Sequence, residues 1–250
     1  MKLFDSHAHL TDRAFDEDRD AAIQGVDAVL ECATSPEDLD KVVALSDLYP
    51  QVWAAVGIHP EFADRMDENV LRRLEELVAF PKVKAIGEIG LDYHYDGPEK
   101  EAQKHALERQ LALAAKLGLP VSLHNREATG DMLAILQAAP DTKGVMHCFS
   151  GSVETAKIVL DLGLYLGIGG IATFKNANKL LEVIRYAPID RILLETDAPY
   201  LAPEPLRGTK NVPANIAFVA EKIASLKGIS KETVCETAYQ NAATLFGIEE

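Results

Sequence analysis

The chain alternates short apolar runs with longer amphipathic segments over most of its length. The short runs are typical of buried strands and span residues 2–9, 27–34, 51–59, 83–90, 120–125, 143–149, 164–170 and 190–197. The intervening segments have helical periodicity and span residues 36–48, 67–79, 99–117, 128–138, 152–162 and 177–186. Two more helices, 213–227 and 231–245, are predicted after the last strand. The pattern therefore indicates an α/β protein.

Two predicted helix ends carry clear signals. Ser35 followed by Pro36 is typical of an N-cap and a first helical residue, so this helix is expected to begin at residue 36. Gly118 is typical of the glycine that follows a helix C-terminus, so the helix 99–117 is expected to end there.

Eight strands separated by helices predict a parallel sheet. Eight such units in 250 residues match a (β/α)8 TIM barrel, here a single domain over residues 1–250 with extra C-terminal helices. An open, doubly wound sheet is the alternative. The run GIGGIA (167–172) does not match the dinucleotide-binding pattern GxGxxG, so we interpret its glycines as packing residues of a barrel strand.

The composition excludes several classes of protein. A net charge of −14 argues against broad, non-specific nucleic-acid binding, although it leaves room for a local basic pocket. No apolar run is long enough to span a bilayer, and no signal peptide is recognisable. Cys32, Cys148 and Cys235 form no CxxC pair, which argues against a disulfide framework and a cysteine zinc site. We expect a cytoplasmic protein.

Histidines and carboxylates concentrate where the predicted strands end. Five of the seven histidines lie at C-terminal strand ends: His7, His9, His59, His124 and His147. His94 and His105 lie elsewhere. Four carboxylates occupy similar positions: Glu88, Asp92, Glu195 and Asp197. The C-terminal strand ends of a (β/α)8 barrel surround one mouth, which is where its active sites are built.

Such a cluster predicts bound metal ions. A single strand histidine is more often a hydrogen-bonded core residue than a ligand, but converging imidazoles and carboxylates would go unsatisfied without cations between them. Asp5, His7 and His9 occupy alternate positions and share one strand face, so the two imidazoles are able to grip one ion together. Cys148 has the opposite parity to His147 and is expected to pack away from the mouth.

The motifs together resemble the TatD family of metal-dependent deoxyribonucleases, within the amidohydrolase-like barrel superfamily. The resemblance runs through nearly the whole chain. It rests on DSHAHL (5–10), GIHP (57–60), GEIGLDY (87–93), LHNR (123–126), HCFSG (147–151), GGIATFKNA (169–177), ETDAPYLAP (195–203) and RG (207–208).

The resemblance implies a site with two divalent ions. His7 and His9 would hold one ion, and His124 and His147 the other. Glu88 would bridge them. Asp197 would complete the first ion's shell and orient or deprotonate the attacking water, and His59 would contact the substrate or leaving group. Asp5 and Glu195 are interpreted as supporting residues.

The identity of the ions stays open among Mg²⁺, Mn²⁺ and Zn²⁺. Four imidazoles suit Zn²⁺ or Mn²⁺ better than Mg²⁺, which prefers oxygen ligands. The family is nevertheless associated with magnesium-supported nuclease activity.

The implied reaction is hydrolysis of phosphodiester bonds at single-stranded DNA ends, as a 3′→5′ exonuclease. Candidate phosphate contacts are Arg126, Lys175 and Arg207, and Tyr93 is a candidate for stacking on a base. Further aromatic side chains follow strand ends at Phe149, Phe174 and Tyr200. We expect a monomer without an obligate protein partner.

Two alternatives use the same metal site. The first is an esterase or amidase, for example one that deacylates an aminoacyl-nucleotide, and the second is a metal-binding protein without catalysis.

Two departures from the family pattern concern substrate contacts. Glu61 and Phe62 follow GIHP where many relatives have a histidine or another polar residue, and Val212 precedes Pro213 where relatives often have Glu or Gln.

Overall fold

Eight parallel strands form the sheet in the computed structural model, which describes residues 2–248. Residues 1, 249 and 250, the ends of the predicted domain, lie outside the described range. The order of the strands in the sheet follows the chain. The strands are β1 (Phe4–Ala8), β2 (Ala28–Cys32), β3 (Val52–Val56), β4 (Val83–Asp92), β5 (Val121–Arg126), β6 (Gly144–Met146), β7 (Tyr165–Ile168) and β8 (Ile192–Leu194).

The segment after β8 closes the sheet against β1. Ala8 and Ala198 form a parallel bridge, the Asp197 N–H donates to the His7 carbonyl over 2.9 Å, and the His9 N–H donates to the Ala198 carbonyl over 2.8 Å. The buried Asp5 carboxylate adds a side-chain link, because Oδ1 accepts the Thr196 N–H over 2.9 Å. The predicted (β/α)8 barrel is confirmed, and the open doubly wound sheet is wrong.

Helices alternate with the strands around this barrel. They are α1 (Arg19–Ile23), α2 (Leu39–Leu48), α3 (Glu68–Leu77), α4 (Lys100–Leu117), α5 (Thr129–Ala138), α6 (Val153–Asp161), α7 (Asn178–Tyr186), α8 (Ile216–Lys227) and α9 (Lys231–Phe246). The short α1 was not predicted, because one turn and a half carries little periodic signal. Gly118 follows α4 with φ +68°, as predicted from its position.

The predicted start of α2 at residue 36 is wrong by one turn. The segment before Leu39 forms a turn instead, in which the Asp38 N–H donates to the Ser35 carbonyl over 3.0 Å. The Ser35 hydroxyl donates to Asp38 Oδ2 over 2.7 Å, so it binds a side chain rather than the free N–H groups of the helix. A turn and a helical first turn share the same residue preferences, which explains the error.

Strands β6 and β8 are shorter than predicted because the chain bends where each reaches the mouth. Cys148 and Asp197 have positive φ angles of 47° and 58°, the left-handed region that non-glycine residues rarely adopt. These bends end the regular alternation of side chains. They turn the residues after each strand into the mouth rather than along the barrel wall.

A small apolar cluster covers the opposite end of the barrel. Phe4, the first residue of β1, packs with Tyr239 and Phe246 of α9, with ring centroids 5.8 and 6.1 Å apart. The same cluster contains Leu30 and Leu193 from the strands. The C-terminal helix α9 therefore covers the end where the strands begin, and the C-terminal strand ends remain open to a cavity of about 830 Å³.

Candidate metal centre

The first half of the centre consists of His7, His9 and Asp197, from β1 and the segment after β8. The Nε2 atoms of His7 and His9 lie 3.2 Å apart, and Asp197 Oδ1 lies 3.4 Å from His9 Nε2 and 4.0 Å from His7 Nε2. The backbone of Asp197 is held by its bond to the His7 carbonyl. The segment directly after β8 thus places the Asp197 carboxylate beside the two imidazoles of β1.

The second half consists of His124, from β5, and His147, which follows β6. His124 Nδ1 lies 3.4 Å from His147 Nε2. Because these strands are neighbours in the sheet, two histidines 23 residues apart in sequence meet at the mouth. The two halves also touch, since the His7 and His147 rings stack with centroids 3.8 Å apart.

Glu88 of β4 lies between the halves and faces each with one oxygen. Its Oε2 is 3.3 Å from His7 Nε2 and 3.5 Å from His9 Nε2. Its Oε1 is 2.8 Å from His124 Nδ1 and 2.9 Å from His147 Nε2. Burial acts to raise the pKa of Glu88, but the surrounding imidazoles outweigh it and hold the pKa well below its ordinary range. The carboxylate is therefore an anion with one oxygen for each half.

Neutral oxygen atoms orient the imidazoles of the first half. His7 Nδ1 lies 3.0 Å from the Ser122 hydroxyl, and His9 Nδ1 lies 3.0 Å from the Cys32 carbonyl. A carbonyl only accepts, so Nδ1 of His9 carries a proton, and Nε2 is the ring nitrogen that faces the centre. These contacts fix which ring nitrogen faces Asp197.

Carboxylates surround the imidazoles of the second half. His124 Nε2 lies 3.0 Å from Asp92 Oδ2, which leaves Nδ1 to face Glu88. Gln103 of α4 holds Asp92 through both backbone groups: Oε1 accepts the Asp92 N–H over 2.8 Å, and Nε2 donates to the Asp92 carbonyl over 2.9 Å. His147 Nδ1 lies 3.6 Å from the buried Glu195 Oε1, an electrostatic contact longer than a hydrogen bond.

The donor atoms of the centre suit divalent cations. Three groups of side chains bring their donor atoms within 4.8 Å of one another: His7 with His147 and Asp197, His7 with His9 and Glu88, and His59 with Glu88 and His124. Burial lowers the pKa of His9, but its hydrogen bond to Asp197 and the charge of Glu88 outweigh burial and raise the pKa to about 9. The cluster therefore attracts positive charge, and imidazole and carboxylate donors in this arrangement fit metal ions.

His59 is placed to donate a hydrogen bond as well as to approach the second half of the centre. Its Nδ1 accepts the Glu61 N–H over 3.2 Å, so in the neutral ring the proton lies on Nε2, which is 3.7 Å from Glu88 Oε1. Burial is the main reason that the pKa of His59 falls to about 3, which keeps the ring neutral. The side chain lines the cavity, and its Nε2–H group faces Glu88.

The predicted substrate residues do not all reach the cavity. Arg126 lines it, but Tyr93, Lys175 and Arg207 are not among the described residues of its lining. The Tyr93 hydroxyl donates instead to Asp131 over 2.7 Å. The Arg207 guanidinium lies over the Phe174 ring, 4.2 Å from its centroid.

The prediction that Cys148 packs away from the mouth is wrong. Cys148 lines the cavity, because its left-handed backbone breaks the strand alternation on which that prediction rested. Its N–H donates to Glu195 Oε1. The strongest sign of this bend is the turn-like run HCFSG, whose glycine and serine suit a loop rather than a strand.

Sequence reasoning missed two further residues at the mouth. Tyr95 lines the cavity from the loop after β4, and the sequence places it in a Gly- and Asp-containing loop without periodic signal. Asn211 is buried and donates through Nδ2 to the carbonyls of Thr196 and Tyr200, over 2.9 and 2.8 Å. Asn211 therefore anchors the segment that carries Asp197. It directly precedes Val212, the residue that departs from the family pattern.

Comparison with known proteins agrees with this geometry. The family described as TatD related DNase matches residues 4–247. The chain belongs to the TatD family. It is 41% identical to a Bacillus subtilis protein named "Uncharacterized metal-dependent hydrolase YabD", over 98% of this chain and 99% of that relative. It is 36% identical to a Cronobacter sakazakii protein named "3'-5' ssDNA/RNA exonuclease TatD", over 98% of this chain and 97% of the relative.

A solved structure shows the same family fold. The TatD homologue YJJV from Escherichia coli K12 is similar with a TM-score of 0.93 and 32% identity, over 99% of this chain and 98% of that chain. The chain is thus a metal-dependent hydrolase of the TatD family, as its motifs imply. Among residues 2–248, no helix has the length and apolar character needed to cross a membrane.

Proposed function

We propose that this hydrolase removes nucleotides one at a time from the 3′ ends of single-stranded DNA. The observation that carries the proposal is Glu88, whose two oxygens face separate pairs of imidazoles at distances of 2.8 to 3.5 Å. Two cation positions beside one carboxylate suit a phosphodiester substrate, whose attacking and leaving oxygens lie on opposite sides of phosphorus. The name of the Cronobacter relative supports single-stranded nucleic acid as substrate and 3′-to-5′ as direction.

The proposed cofactors are two divalent ions per chain, drawn from Mg²⁺, Mn²⁺ and Zn²⁺. His7, His9 and Asp197 would hold one ion and His124 and His147 the other, with Glu88 shared. When bound, such ions polarise a phosphoryl oxygen and lower the pKa of water enough to provide a nucleophile near neutral pH.

The side chains of the cavity supply the remaining chemistry. Asp197, whose Oδ1 faces the first half at 3.4 Å from His9, accepts the proton of the attacking water. The neutral His59 donates its Nε2–H to an oxygen of the scissile phosphate. Arg126 neutralises substrate charge from the rim, as a guanidinium suits a phosphate oxygen pair.

The proposal includes a monomer in a reducing, cytoplasmic compartment. The reducing compartment is supported by the cysteines, since Cys32, Cys148 and Cys235 are all free in the described chain. The acidic surface fits a protein that admits one strand end to a pocket and does not wrap a duplex.

Cleavage of end-labelled single-stranded DNA with Mn²⁺, Mg²⁺ or Zn²⁺ tests the proposal. A 5′-labelled strand should shorten as a ladder of single-nucleotide steps, and a 3′-labelled strand should release its label as a mononucleotide at once. Glu88→Ala should abolish both reactions, whereas Glu182→Ala, at an exposed position of α7, should leave them intact.

Other outcomes would redirect the assignment. A 5′-labelled strand that loses its label first would reverse the direction. Turnover of ester or amide substrates, without cleavage of DNA under any of the three ions, would favour the esterase or amidase alternative. Tight metal binding without turnover of any substrate would favour the non-catalytic alternative.

A further inference from the structure

Two exposed tyrosine rings flank the metal centre. Tyr95 is 54% exposed and Tyr200 is 53% exposed, yet both line the cavity. They follow β4 and β8, which are four strands apart in a closed eight-stranded sheet, so the rings lie on opposite sides of the mouth. A large aromatic side chain contributes most to binding energy when the ligand removes it from water. Two such rings at the rim of one cavity therefore indicate a ligand with flat apolar faces.

Tyr200 is held beside the first half of the centre. Its ring centroid lies 6.3 Å from that of His9. Its hydroxyl donates to Asp12 Oδ2 over 3.2 Å, and its N–H donates to the Asp197 carbonyl over 2.8 Å. The ring is therefore fixed at its edge and through its backbone, which leaves its faces available to a ligand.

Tyr95 is held beside the second half. The Arg126 guanidinium lies 4.8 Å from the Tyr95 ring centroid, and Arg126 follows the ligand candidate His124 by two residues on β5. The Tyr95 ring and the Arg126 guanidinium thus lie against each other at the edge of the cavity. Both a tyrosine ring and a guanidinium plane are surfaces on which unpaired bases stack.

Arg126 makes no direct ion pair within the described residues, although the chain is acidic. The chain has 39 Asp and Glu residues against 25 Lys and Arg residues. Nevertheless, Arg126 forms no ion pair with any residue between 2 and 248, and its charge acts on the Asp92 carboxylate only from beyond ion-pair distance. A half-buried, unpaired guanidinium on a cavity wall is available for an anion that comes with the ligand.

We propose that Tyr200 and the Tyr95–Arg126 pair hold the unpaired bases of the two nucleotides that flank the scissile phosphate. The inference rests on the proposed function, and it names the feature that makes the enzyme specific for single strands. Bases stacked and paired in a duplex have no free face for either ring. Because every base has a π-face, the subsite accepts all sequences.

Kinetics on matched oligonucleotides test the subsite. One substrate carries normal bases, and the other carries abasic tetrahydrofuran residues at its last two 3′ positions. Wild type should prefer the normal end by about 10-fold or more in kcat/KM, since stacking on one ring is typically worth about 5- to 150-fold. Tyr95→Ala and Tyr200→Ala should each lose much of this preference through a higher KM, and the double variant should lose nearly all of it.

Conservative and remote variants separate stacking from structure. Tyr95→Phe and Tyr200→Phe keep the ring and should retain the preference for normal ends. Tyr186→Ala removes an exposed tyrosine at the end of α7, outside the cavity lining, and should behave as wild type. Thermal unfolding of each variant confirms that it is folded.

The outcomes distinguish the subsite from the proposed function. If wild type and both alanine variants show the same preference while cleaving DNA, the subsite is wrong and the nuclease stands. If no DNA is cleaved, fluorescence anisotropy of labelled oligonucleotides with Mn²⁺ decides. If wild type binds normal ends more tightly than abasic ends and the alanine variants lose this difference, the subsite stands without the nuclease. If wild type binds both ends equally, both proposals are overturned.

Discussion

The two halves of the candidate metal centre have the same types of donor side chain but differ in where their negative charge lies. In the first half, Asp197 lies among the ligand atoms, and the outer partners of the imidazoles are neutral oxygens of Ser122 and Cys32. In the second half, Glu88 is the one carboxylate of the described residues within 4.0 Å of the inward nitrogens of His124 and His147, since Asp197 approaches His147 only to within 4.8 Å. Asp92 lies behind His124, 3.0 Å from its Nε2. In the first half, the extra negative charge of Asp197 lies beside the inward imidazole nitrogens. In the second half, the extra negative charge of Asp92 acts through the His124 ring.

This difference indicates unequal roles. An outer carboxylate makes an imidazole more basic and holds its orientation, so it strengthens a ligand without occupying a place at the ion. A catalytic ion needs a position for water or substrate. An ion in the second half would therefore be more open to a phosphate oxygen, and an ion in the first half would be held more completely.

Glu88→Gln should have the largest effect, because it removes the one charge that both halves share. We expect kcat/KM to fall by at least about 1,000-fold, well beyond the 10- to 100-fold cost typical of an outer partner. Elemental analysis should show that both ions bind less well. Glu182→Gln is the matched surface control. Two ions retained at wild-type affinity in Glu88→Gln would show that the halves do not share this carboxylate.

Asp92→Asn should have an intermediate effect confined to the second half. The amide keeps the shape of the side chain but removes the charge behind His124, so affinity for one ion should drop about 10- to 100-fold while the other is unchanged. Calorimetric titration with Mn²⁺ resolves the two binding events. His105→Ala, a change of an exposed helical histidine, serves as control. Equal weakening of both events would contradict the distinction between the halves.

Ser122→Ala should have the smallest effect, in the first half. It removes a neutral hydroxyl 3.0 Å from His7 Nδ1, and a net hydrogen bond of about 0.5–1.5 kcal/mol corresponds to a 2- to 12-fold loss of affinity for one ion. The same titration measures it. A loss as large as that of Asp92→Asn would mean that outer charge does not distinguish the halves.

Much of this centre follows from positions along the chain. His7, His9, His124 and His147 each lie at or just after a strand end, and parallel strands in a barrel bring such ends to one mouth. The alternation of strands and helices is a local pattern, so the fold is also readable without coordinates. The errors fall where the backbone departs from regular geometry, at the turn before Leu39 and the left-handed Cys148.

Residue order thus specifies the barrel and the ligand types, because hydrophobic periodicity and strand-end positions depend on near neighbours. The folded chain specifies which oxygen of Glu88 faces which imidazoles, which nitrogen of His124 points inward, and that Tyr95 and Tyr200 line one cavity. Those features depend on side-chain torsions and on packing between segments up to about 190 residues apart. No local pattern encodes them.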